Sequence, residues 1–118
     1  RVWKPDLSLL FTGEDNHEEM LRIFVDESRK ELSRLHDALH RNDRQALREI
    51  LHKNLPLWET VNLDYPMEML HEIVITDPEE WQEKHLKEIY RIEQAVSKLI
   101  IHVEKMQEEA HEKNNTDN

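Results

Sequence analysis

Apolar residues return at spacings of three and four along most of this chain, a period that suits packed helices and little else. In "LRIFVDESRKELSRLHDALH" the positions Leu21, Phe24, Val25, Ser28, Leu32, Leu35 and Leu39 share one helical face. A second stripe, Leu47, Ile50, Leu51, Asn54, Trp58 and Val61, occupies residues 44–62. A third, Trp81, His85, Ile89, Ile92, Val96, Leu99, Val103 and Met106, runs through residues 78–112. One glycine and four prolines in 118 residues leave little material for hairpins. Charged residues make up 36% of the chain and hydrophobic ones 37%, enough for one buried seam per helix with the rest facing water. These features predict an all-α fold, an antiparallel up-down four-helix bundle over residues 1–112.

The boundaries follow from breakers and caps. "KPDLSLLF" (4–11), capped by Asp6, is expected to add a short N-terminal helix or turn. Gly13 ends it, and a long helix begins near Asp15 or Asn16 and runs to about residue 41. "RND" (41–43) is a turn, with Asp43 as the next N-cap. "NLDYP" (62–66) stops the following helix, and Pro66 suits the first turn of a short one, "PMEMLHEIVI". Asp77, Pro78 and Glu80 open the last helix as cap, first and third helical positions. "KNNTDN" (113–118) reads as a disordered polar tail.

Composition also excludes functions. Without cysteine there is neither a disulfide nor a thiolate metal site. The net charge of −10 disfavours nucleic acid and anionic membrane surfaces as partners. No apolar run approaches the roughly 20 residues of a membrane span, and "RVWKPDLSLL" is too short and charged for a signal peptide. A start without Met suggests a domain cut from a longer protein.

"ILHKNLPLW" (50–58) then raises a chemical question. At about 100° per residue, His52 lies about 150° from the centre of its helix's apolar stripe and is expected to be exposed. Four residues on, Pro56 denies a hydrogen bond to the His52 carbonyl and crowds it, at a cost of about 3 kcal/mol. Arg41, Arg44, Arg48 and Lys53 face only Asp43 and Glu49 within residues 41–53, a local balance of +2 in an acidic chain. Spacing alone would allow an ordinary surface histidine, a plain bend and a solvated charged face. Together the three features describe an imidazole poorly placed to hold a cation and well placed to carry a phosphoryl group, whose charge of about −2 needs pairing.

The order of parts in "LSLLFTGEDNHEEMLRIFVDESRKELSRLHDALHRNDRQALREILHKNLPLWETVNL" resembles a histidine-containing phosphotransfer (HPt) domain over roughly residues 6–75. A short helix and the acidic "GED" turn precede a long helix, an "RND" turn and an "ALREILH" helix. "HKNLP" is similar to the variant in HPt domains at the C-terminal ends of Bacteroides-type hybrid sensor kinases. The resemblance implies that His52 is the phosphoacceptor of a phosphorelay. It takes the group from an aspartyl phosphate on a response-regulator receiver domain and passes it to another receiver. It also implies no cofactor of its own, with Mg²⁺ supplied by the receiver; the absence of a Gly-rich loop or Walker motif in the sequence independently argues against an ATP site. The location implied is cytoplasmic, in a membrane-anchored sensor kinase, without direct membrane contact by this domain. The family motif continues with lysine three and glycine four residues after the histidine, where this chain has Leu55 and Pro56. Candidate phosphate-pairing or partner-contact residues are therefore Arg48, Lys53, Leu55, Pro56 and Arg44, with Lys53 about 100° round the helix from His52.

Two rivals stand beside this expectation. His36 and His40, spaced i, i+4, could chelate Zn²⁺ with Glu31, Glu27 or Asp37, although no second such constellation mirrors them. A bundle that serves only interaction or dimerisation, including an HPt domain that no longer carries phosphate, would also fit the missing lysine and glycine. Trp58, Trp81, Ile89, Met67 and Met69 are expected to pack, His71, His85 and His102 to lie on or near buried stripes, and His17 and His111 to be solvated.

Overall fold

A computed structural model describes residues 2–11 and 16–116, with the side chains of 114–116 outside that description. The described chain is a bundle of four α-helices: α1 (His17–His40), α2 (Arg44–Thr60), α3 (Met67–Ile75) and α4 (Glu83–Thr116). Asn16 caps α1 by accepting from the Glu18 and Glu19 amides, and Asp43 caps α2 through the Ala46 amide, both at positions the sequence marks. The acidic "GED" turn and Gly13 lie outside the described residues.

Two helix ends explain how a chain with one glycine turns so tightly. Past α1, Asn42 adopts a left-handed φ of 53°; its amide donates to the Leu39 carbonyl and that of Asp43 to Ala38. Past α2, Asn62 at φ 61° repeats the arrangement, with the Leu63 amide on the Trp58 carbonyl. Both are Schellman-type endings in which asparagine takes the role usual for glycine.

The predicted stripes form the core. Leu35, Leu47, Leu51, Leu70, Ile73, Ile89, Ile92 and Val103 are fully buried, while Leu32, Ile50 and Met106 pack at its edge. Along α1 and α4, the pairs Glu18–His111, Arg29–Glu104 and His36–Glu93 run in opposite order, so these helices are antiparallel.

Several expectations are corrected. Segment 4–11 holds a turn at residues 8–10 and no helix, because Asp6 ties off the Ser8 amide and hydroxyl locally. The strap is tied to the end of α2 instead: the Asp6 amide donates to the Val61 carbonyl, the Trp3 indole Nε1 to the Asn62 carbonyl, and Asn62 Nδ2 to the Lys4 carbonyl. This strap ends on α4, where Lys98 lies over the Trp3 ring and His102 meets it edge-on. The last helix does not start at residue 78. Pro78–Glu80 form one 3₁₀ turn, Trp81 is extended, and α4 begins at Glu83. The break lets the Trp81 indole enter the core and donate from Nε1 to the Ile73 carbonyl at 3.1 Å. His85 is buried and accepts the Gln82 amide on Nδ1, closing the first turn of α4 as a capping-box side chain would. At its other end α4 continues to Thr116, through part of the segment expected to be a disordered tail. Met69 and His71 are exposed rather than packed, since Leu70, Ile73 and Val74 fill the inner face of α3.

No helix among the described residues is long and apolar enough to cross a membrane.

Candidate functional site

The inner face of α2 is set by Leu47, Leu51, Asn54 and Trp58, all buried. That register turns His52 outward, and the residue is exposed. Among the described residues no side chain or backbone group hydrogen-bonds to its ring. The other seven histidines differ. His17 stacks on Phe11, His36 and His40 lie against each other, and His102 meets Trp3. His36, His71 and His111 reach Glu93, Glu59 and Glu18, and His85 Nδ1 accepts a hydrogen bond from the Gln82 amide.

The flanks of His52 are unlike each other. One side faces α1 and carries Lys53, Ile50 and Leu57. The other faces α3 and the 3₁₀ turn and carries Arg44, Arg48, Leu55 and Glu59. Arg48 is half-buried and stands one turn before His52, with no ion pair among the described residues. Leu55 is half-buried against the core, and Pro56 is exposed. Arg44 is committed elsewhere: its guanidinium donates to the Pro78 and Trp81 carbonyls at 3.0 and 2.6 Å, fastening α2 to the 3₁₀ turn. Lys53 is held on the α1 side, with Nζ 3.3 Å from Glu31 Oε1.

Sequence reasoning missed two features. The ties from Glu59 to His71 and from Arg44 to Pro78 and Trp81 make α3 antiparallel to α2. Ile75 therefore lies at the level of the His52 turn, and it is 79% exposed. Its place was legible, because Leu70, Ile73 and Val74 already complete an inward face and leave Ile75 outside it. The second is Glu31, a charged residue in the α1 stripe with only 11% of its side chain exposed. Asn54 Nδ2 donates to its Oε1 at 2.8 Å and also to the Ile50 carbonyl at 2.9 Å. Arg34 reaches Oε2 at 3.1 Å. The i, i+3 spacing to Arg34 is visible in the sequence, whereas pairing with Asn54 needs the α1–α2 packing.

Glu31 lines the same α1–α2 cleft as Asp37 and His40, but its two oxygens are taken up by Asn54, Lys53 and Arg34, and His36 pairs with Glu93 instead. Among the described residues no group of three His, Cys, Asp or Glu side chains could hold a metal ion.

Burial pushes the Glu31 carboxyl up, but the Asn54 hydrogen bond, the Lys53 ammonium and the Arg34 guanidinium outweigh it and hold it below the ordinary glutamate value. Its contribution to stability is therefore complete above the unfolded-state pKa of about 4.3 and is lost as pH falls through the lower folded value. The thermal midpoint of the wild type should fall more steeply below about pH 4.5 than that of Glu31→Gln. Parallel curves in acid would show that this carboxylate contributes nothing specific.

Pro56 sits inside α2 and has no amide to offer the His52 carbonyl. The helix continues to Thr60, whose Oγ1 donates to the Pro56 carbonyl at 2.8 Å. Pro56→Ala should raise stability by about 2 kcal/mol, the helix-interior penalty of about 3 kcal/mol less the unfolded-state benefit of proline, about 0.4–1 kcal/mol. Calorimetry showing no rise would mean that α2 has relaxed around the proline without cost.

The chain matches no family model, no curated protein and no solved structure in comparisons with each.

Proposed function

We propose that this domain is a phosphorelay carrier whose phosphoacceptor is His52. The observation that carries the reading is that, of eight histidines, His52 alone is exposed on a buried-backed helix with no partner among the described residues. A free ring nitrogen can attack phosphorus, and a rigid helix supplies the positioning that phosphoryl transfer chiefly needs.

The imidazole nitrogen attacks the phosphorus of an aspartyl phosphate on a receiver domain. A P–N bond forms, the P–O bond to the aspartate breaks, and the carboxylate leaves with the bonding pair. The reverse reaction on a second receiver completes the relay. Arg48 pairs the phosphoryl charge from one turn away, while Leu55, Pro56 and Ile75 supply apolar surface for docking. Any Mg²⁺ and acidic pocket belong to the receiver, and the carrier has no phosphoryl donor of its own.

A second reading, a helical interaction module that no longer carries phosphate, is favoured by Leu55 and Pro56 at the motif's lysine and glycine positions and by the engagement of Lys53 with Glu31. Incubation with a phosphorylated receiver separates the two. The carrier reading expects an acid-labile, base-stable phosphate on the protein; receiver binding without label would leave only the module.

A further inference from the structure

The Glu31 network lies one residue from the proposed phosphoacceptor. Glu31 accepts from Asn54 and Lys53 on one oxygen and from Arg34 on the other, so it keeps two donors if Lys53 departs. Lys53 is exposed over 62% of its side chain, and its four-carbon stem is free to swing. Lys53 is adjacent in sequence to His52, whose ring carries no other partner among the described residues. A phosphoryl group there would add about two negative charges on the residue next to the one that carries this ammonium.

We propose that Lys53 is a two-position cation, resting on Glu31 when His52 is bare and pairing the phosphoryl group when His52 is loaded. Glu31 is then a positioning residue. It holds the ammonium off the imidazole, and it competes with the phosphate for the charge. This assignment rests on the reading of His52 as phosphoacceptor. It also accounts for a carrier without lysine three residues past its histidine: the cation comes from the adjacent position and is stored on α1. The exchange is reciprocal, so loading His52 weakens the hold of Glu31 on Lys53 to the same extent.

The test loads His52 with phosphoramidate, in which the imidazole displaces ammonia from phosphorus, and so needs no receiver. Phosphorus NMR then follows the titration of the phosphoryl group in the wild type, Glu31→Gln, Lys53→Met and the double variant. A nearby ammonium favours the more ionised phosphoryl. Releasing Lys53 with Glu31→Gln should therefore lower its proton affinity by a factor of about two to five, the range expected of an exposed ion pair. Lys53→Met should raise it, Lys53→Arg should restore it, and Glu31→Gln should change nothing once Lys53 is Met. An equal effect of Glu31→Gln with and without Lys53, or no effect at all, overturns the exchange while leaving the carrier intact. A His52 that takes phosphate from neither phosphoramidate nor a receiver ends both. Circular-dichroism melts of each variant confirm that the comparison is between folded proteins.

Discussion

His52→Gln is expected to abolish phosphate uptake from a phosphorylated receiver, with labelling at least a hundredfold below wild type. The substitution removes the nucleophile and keeps a polar side chain of similar reach on an exposed helix face. Nothing in the core touches that position, so the variant should melt within about 0.5 kcal/mol of the wild type. That separation is what gives the experiment its force. Loss of label with an intact fold assigns the chemistry to one ring. Retained label would move the site to another histidine, and the partners of the others rank them. His17 and His40 are exposed with ring contacts only, whereas His85 has its Nδ1 occupied by the Gln82 amide. Acid lability and base stability of the wild-type adduct identify it as a phosphoramidate rather than an ester.

What could be read from residues alone divides along a physical line. Periodicity located the seams of α1, α2 and α4 because burial is an average over many positions, and edge positions such as Leu32 or Met106, which pack only partly buried against the core, shift it little. It also set the outward register of His52, which depends only on its angle to Leu47, Leu51 and Trp58. Charge engagement was not legible, because it depends on which helix lies opposite. Lys53 and Arg44 looked like neighbours of His52 along one helix, yet one is held by Glu31 on α1 and the other by carbonyls of the 3₁₀ turn. Arg48, on the same face as Arg44, makes no ion pair among the described residues. The break at Trp81 was missed for a related reason. Capping signals mark where a helix can begin, and "TDPEEW" holds a sound one, but the gain from burying an indole outweighs continuing the helix through it.

Trp81 links α2 and α3 at the 3₁₀ turn. It is 3% exposed, and its indole N–H is tied to α3 while its carbonyl receives Arg44 from α2. Trp81→Ala should cost about 3–5 kcal/mol, the usual range for emptying a large aromatic site in a core. In a domain of this size that is a substantial share of the total stability, about 5–15 kcal/mol. Trp81→Phe keeps most of the packing but leaves the Ile73 carbonyl without its donor, and should cost about 1–3 kcal/mol from the unmade bond plus the smaller ring. The two effects reach the functional face differently. Arg44 binds the backbone of this turn, so its grip survives a change of side chain as long as the turn persists. In Trp81→Phe the turn should hold, α3 should stay beside α2, and phosphate transfer to His52 should remain near wild type. In Trp81→Ala the cavity lets α3 drift, and Ile75 loses its fixed level beside His52. Receiver affinity should then fall more than the intrinsic reactivity of the ring toward phosphoramidate. Equal losses in both measurements would mean that α3 contributes nothing to docking and that its role ends at holding the core closed.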